Sequence, residues 1–119
     1  MSKAFWIRAD IRTVEAVEYK TLADLQRMVG GFIESAWRNK KDDAVFVDEE
    51  GMFKYDGFFT IAGGHQPFAG NGVLVGRDRS ESSKDYNALP THDPSMTLAE
   101  VTSAVRFMSR LDAAKDIAL

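Results

Sequence analysis

The spacing of apolar positions changes several times along this chain, and each change marks an element. Ala4-Phe5-Trp6-Ile7 is rich in strand formers and predicts an opening strand. From Thr13 to Tyr19, Val14, Ala16, Val17 and Tyr19 interleave with Glu15 and Glu18, which predicts a second strand. The Asp10-Ile11-Arg12 connection is short enough to join the two as a hairpin. Leu22, Leu25, Met28 and Val29 then recur at helical spacing behind Thr21, which caps the helix with Asp24 three places on. Gly30-Gly31 stops that helix, because glycine takes the left-handed conformation after a helix without a Cβ clash. A helix of about two to three turns is held by packing rather than by propensity.

Phe32 to Trp37 resumes as a strand, and Ala44-Val45-Phe46-Val47 is an apolar run of the kind found in an internal strand covered on both faces. Asp48-Glu49-Glu50-Gly51 turns the chain, and Met52-Phe53-Lys54-Tyr55 begins a return. Phe58–Ile61 and Val73–Val75 are further short strands, separated by a glycine-rich loop that carries His65, Gln66 and Phe68. Residues 77–96 form a polar connection of about twenty residues, which is either mobile or laid across the sheet with Tyr86 and Leu89 as anchors. Thr97-Leu98-Ala99-Glu100 is a capping box, and Leu98, Val101, Val105, Met108 and Leu111 form a stripe that predicts an amphipathic helix over 97–112. The expected architecture is a single α+β domain. It has a mostly antiparallel sheet of five to six strands, one short internal helix and a C-terminal amphipathic helix. Its organisation is a core at 1–78, a polar loop at 79–96, and a helix at 97–119 packing on the same core.

Composition narrows the options. A chain of 119 residues supports one core, and 8 Phe with 2 Trp fill it without staples. With no cysteine, disulfides, thiolate zinc sites and cysteine nucleophiles are excluded. No apolar run suits a leader peptide or a membrane span, so a cytoplasmic location is the expectation. The net charge of −3 divides into +3 over residues 1–41 and −6 over 42–119, and the one basic cluster is Arg38-Asn39-Lys40-Lys41. Nucleic-acid binders present a strongly basic face, which this pattern does not predict.

Candidate chemistry is sparse. Asp48-Glu49-Glu50 invites a cation, but adjacent residues point apart, and a solvated hairpin turn explains them. Glu34 with Asp48 or Glu50 is the one carboxylate set that could serve metal-assisted hydrolysis. His65 and His92 are the only histidines, and no Gly-x-Ser-x-Gly elbow is present. The run Gly63 to Gly76 feeds a strand rather than a helix N-terminus, so it is no phosphate cradle, and Gly70-Asn71-Gly72 reads as a tight turn. The candidate contact residues are His65, Gln66 and Phe68 in the loop, and Trp37 beside the basic cluster. No cofactor is implied and no catalytic set converges, so the reading leans away from an enzyme.

Leu22, Leu25-Gln26, Val29-Gly30-Gly31, Ile33-Glu34, Val47-Asp48-Glu49-Glu50-Gly51 and Gly72-Val73-Leu74-Val75-Gly76 form an ordered set over roughly residues 4–78. As a set they resemble a domain-of-unknown-function family numbered 3846, found mainly in phage, plasmid and other mobile-element genes. Such proteins often show Asn followed shortly by Ala-Thr after the acidic turn, where this chain reads Tyr55-Asp56-Gly57-Phe58-Phe59-Thr60-Ile61. The resemblance implies a small cytoplasmic accessory protein of a mobile element, with no catalytic residues to carry over. Two functional readings stay open. One is a non-catalytic protein that binds a host protein, counter-defence included; the other is a small-ligand or nucleotide binder using the Gly63–Gly72 loop. Spare aromatic surface in Phe5, Trp6, Phe32, Trp37 and Phe68 predicts a homodimer, with aromatics near Trp37 or the C-terminal helix buried in the contact.

Overall fold

Strand β1 (Ser2–Arg8) folds back on β2 (Thr13–Tyr19) as a hairpin, in register from Ser2↔Tyr19 to Arg8↔Thr13. The computed structural model describes residues 2–41, 43–51, 54–64, 66–76 and 93–117. Helix α1 (Leu22–Val29) follows, opened by a complete capping box between Thr21 and Asp24 and closed by Gly30. Two backbone amides and the Arg27 guanidinium hold the Asp24 carboxyl at a pKa of about 2. Thr21→Ala removes the hydroxyl that accepts from the Asp24 amide at 3.2 Å, and is expected to cost about 1 kcal/mol in a urea unfolding curve.

The chain continues through β3 (Ile33–Arg38), β4 (Asp43–Asp48), β5 (Gly57–Ile61), the two-residue β6 (Phe68–Ala69) and β7 (Gly72–Gly76). One sheet has the order β2-β1-β7-β4-β3 and a second has β6-β5-β8, where β8 is the later strand Val105–Ser109, with every pairing antiparallel. The Ala44–Val47 run is internal, as its composition predicts, with β7 on one side and β3 on the other.

Cover on both faces explains why β4 and β7 are not half polar, as the edge strands β2 and β3 are. In β7, Leu74 faces one core while Val73 and Val75 face another. The first core lies between the two sheets, where Ile7, Val45, Val47 and Leu74 meet Phe59, Ile61 and Val105. The second lies on the opposite face of the larger sheet, where Leu25 and Val29 of α1 cover Ala4, Val73 and Val75. Each sheet therefore has both of its faces occupied, and long apolar runs follow.

The C-terminal region departs from the sequence expectation. In place of one helix over 97–112 there are α2 (Leu98–Ala104), a strand β8 (Val105–Ser109) and α3 (Arg110–Ile117). Val105-Arg106-Phe107-Met108-Ser109 is β-branched and aromatic, and it pairs with β5 from Ile61↔Val105 to Gly57↔Ser109. The stripe is buried at Val101, Val105 and Met108 all the same, while its ends Leu98 and Leu111 stay exposed. The five residues spaced for one helix face are divided among a helix, a strand and a second helix, and only the middle three are buried. β5 and β8 consequently belong to a separate three-stranded sheet, so the strands are divided between two sheets rather than gathered in one. The expected return strand at 52–55 is also absent from its described part. Lys54 and Tyr55 form a turn whose amides donate to the Gly51 carbonyl, while Met52 and Phe53 lie outside the described residues. Residues 77–92, with the expected anchors Tyr86 and Leu89, likewise lie outside them.

A buried carboxylate ties this C-terminal unit down. Asp43, at the start of β4, accepts from the Ser95 amide at 2.9 Å, the Ser95 hydroxyl at 2.6 Å and the Met96 amide at 3.1 Å. Among the described residues no helix is long and apolar enough to cross a membrane.

Candidate functional site

Helix α1 ends against the turn that follows β4, and a single carboxylate organises the meeting. Asp48 closes β4 on the face that α1 covers, with a side chain only 1% exposed. It accepts from the Glu50 amide at 2.9 Å, the Lys54 ammonium at 3.0 Å and the Tyr55 hydroxyl at 2.8 Å. That hydroxyl also lies 3.1 Å from the Val29 carbonyl. Its single proton serves one acceptor at a time, and the charged carboxylate is the stronger of the two. Two further carbonyls of α1's last turn are met: Gln26 by the Gly30 and Gly31 amides, and Met28 by the Trp6 indole N–H at 3.0 Å.

The paired glycines allow this approach. Gly30 has φ +93°, and a Cβ there would run into the Tyr55 hydroxyl. A Cβ on Gly31 would lie 2.9 Å from the Asp48 carboxyl. The Gly-Gly stop and the acidic turn, well separated in sequence, are two sides of one joint.

Burial alone would push the Asp48 carboxyl up, but the Glu50 amide, Lys54 and Tyr55 outweigh it and hold the pKa below the ordinary value. Tyr55 moves the other way, to about 12, through burial and then its bond to the Asp48 carboxylate. At neutral pH the carboxylate is therefore ionised and the phenol protonated. Neither is poised to exchange a proton with a substrate, which needs a pKa near the working pH. The arrangement suits a structural latch.

Beside the latch runs a groove of about 480 Å³, lined by Ala23, Gln26 and Arg27 of α1 and by Phe32, Glu49 and Lys54. Phe32 stands just before β3 and is 70% exposed, the most open of the large apolar side chains described. Its carbonyl accepts from the Glu49 amide at 3.0 Å, which fixes the backbone beneath it. Arg27 is engaged by Asp24 at 2.9 Å, and Lys54 reaches Glu50 at 3.9 Å as well as Asp48.

The residues singled out from the sequence fall elsewhere. Trp37 is half-buried, donates its indole N–H to the Ala62 carbonyl at 3.2 Å, and so braces the start of the glycine-rich loop. Phe68 packs edge-on against Phe59 with centroids 5.5 Å apart, and Gln66 is exposed. His65 and His92 lie outside the described residues. Glu34 sits opposite Val47, whose side chain enters the inter-sheet core, so it is on the other face from Asp48. Among the described residues no group of three or more His, Asp or Glu could hold a metal ion.

Sequence reasoning missed Lys54 and Tyr55, and named Phe32 only as spare aromatic surface for a homodimer contact. Phe32 was absorbed into a strand that starts one residue later, and the other two into a return strand. The glycine pair was read as a helix stop alone; the clearance it gives Tyr55 and Asp48 shows only in the structure.

A family profile described as a domain of unknown function (DUF3846) matches residues 2–92. The match spans the whole five-stranded sheet, α1 and the latch, and ends before α2. No curated protein and no solved structure matches the chain.

Proposed function

This chain belongs to the DUF3846 family of domains of unknown function, a membership that carries a fold and no reaction, and we propose that it is a non-catalytic binding protein gripping a partner protein at the Phe32 groove. One observation carries the reading: a large aromatic side chain is 70% exposed beside a groove, on a backbone held by the Glu49 amide. A rigid, exposed aromatic at the rim of a concavity is the usual anchor of a protein interface. The surrounding Gln26, Arg27, Glu49 and Lys54 supply a polar rim. Asp48, the acid that a catalytic reading would use, is already saturated by three donors. The mobile-element setting implied by the resemblance makes the partner a host protein, with interference in host defence as one form of the activity.

Affinity capture from a host lysate tests this, comparing the native chain with Phe32→Ser. Loss of a hot-spot aromatic is expected to weaken capture by about 2 kcal/mol, or roughly thirtyfold. The melting temperature should hardly change, because the side chain is already in water. Undiminished capture by the variant would remove the groove from the account.

A second reading, a small ligand held by the Gly63–Gly72 loop, draws on exposed Gln66 and on the bracing of that loop by Trp37. It would show as a nucleotide-dependent rise in melting temperature that Phe32→Ser leaves intact.

A further inference from the structure

We infer that two copies of this chain join along the outer edge of β3, in a two-fold antiparallel contact selected by charge. β3 is the last strand of its sheet, and among the described residues its outer edge carries no strand. Such an edge is a template for pairing. Charge is distributed along it with opposite signs at the two ends. At the beginning stand Glu34 and, on the adjoining turn, Glu49 and Glu50; at the end stand Arg38, Lys40 and Lys41. All six are exposed.

An antiparallel two-fold places the beginning of one β3 beside the end of the other. The acidic end of each copy then lies beside the basic end of its partner, twice over; Glu34, level with Val47, and Arg38, level with Ala44, project from opposite faces of the sheet, so the attraction acts between ends rather than between directly opposed side chains. A parallel arrangement would set like charges together at both ends, which is destabilising. A surface that complements itself under a two-fold is the requirement for an isologous dimer.

The register of β3 slips between Ser35 and Trp37 in its pairing with β4. A bulge in an edge strand discourages long ladders with arbitrary strands. The contact is accordingly carried by its charged ends more than by backbone pairing, which makes it selective for a copy of itself. Joining two sheets edge to edge about a two-fold also puts both α1 faces on the same side. The dimer thereby presents two Phe32 grooves on one face, a bivalent platform. Only this last step rests on the function proposed above.

Light scattering on the full chain, with two charge-reversed variants, tests the inference. The native chain is expected to show twice its 13.3 kDa mass, falling to one mass in about 1 M salt, where screening reaches ~3 Å. Glu34→Lys with Glu49→Lys should be monomeric alone, and so should Arg38→Glu with Lys41→Glu. Mixed in equal amounts they should recover the double mass, because each reversed end then meets its opposite. That recovery also shows that both variants are folded. A native mass of 13.3 kDa, a variant that stays dimeric alone, or a mixture that stays monomeric overturns the inference. Phe32→Ser should leave the dimer mass unchanged, so a failed groove and a failed dimer are told apart.

Discussion

Replacing Asp48 with alanine is expected to lower the unfolding free energy by about 2–3 kcal/mol, a large share of the ~5–15 kcal/mol typical of a domain. The change strands three donors at once. The Glu50 amide and Tyr55 hydroxyl lose the acceptor that they share with Lys54. Two features keep the cost below the upper range for broken buried pairs. Lys54 is 40% exposed and turns to water, and Tyr55 retains the Val29 carbonyl 3.1 Å away. Asp48→Asn, which keeps volume and one acceptor, should cost about half as much. The sign of the pH dependence follows from the lowered pKa of the folded carboxyl. Its contribution is full above the unfolded value of ~3.9 and is lost as pH falls through the folded value. Urea midpoints of native and Asp48→Asn chains should therefore converge on acidification from neutral pH. A gap that holds constant into strong acid would show that the carboxylate's charge is irrelevant. Tyr55 acts at the other extreme: its raised pKa gives a contribution that is full below the unfolded value of ~10 and is lost as pH rises through about 12.

Asp43→Ala is the second large effect, expected to cost about 2–4 kcal/mol, because Asp43 is buried and holds the segment before α2 through three bonds. The loss should be directional. Amide exchange ought to quicken first in residues 95–109, since α2 and β8 hang from that attachment, while the β1–β2 hairpin keeps its protection. Uniform acceleration across both sheets would instead identify Asp43 as part of the global core. Asp43→Asn, able to accept but not to match all three donors, should fall between the native chain and alanine.

Legibility in the sequence followed range. The capping box at Thr21 and Asp24 and the β1–β2 hairpin depend on residues a few places apart, and local pattern was enough to place them even though the alternation from Thr13 to Tyr19 is imperfect. The segment 98–109 is the counterexample. Val101, Val105 and Met108 satisfy a helical stripe, yet Val105 to Ser109 was drawn out as a strand by β5, far back along the chain. Local spacing carries no record of a distant edge seeking a partner. The candidate site failed for the same reason. Gly30-Gly31 and Asp48 were visible as landmarks, but what joins them is Tyr55, which the pattern of 52–55 assigned to a strand. Exposure is equally hidden: nothing in Phe32-Ile33 distinguishes the aromatic left in water from the aliphatic packed against α1.

β8 also bears on what counts as an autonomous unit. The family profile stops at residue 92, yet the strand that completes the smaller sheet begins at Val105. Cut at the profile's boundary, the chain would keep its larger sheet and leave β5 paired only with the two residues of β6. Phe59 and Ile61 would lose their cross-strand neighbours Phe107 and Val105. The segment that the family profile matches is therefore shorter than the folded unit. A fragment trimmed to residues 2–92 would be a sheet with an open side, prone to borrow the missing strand from whatever chain lies nearest.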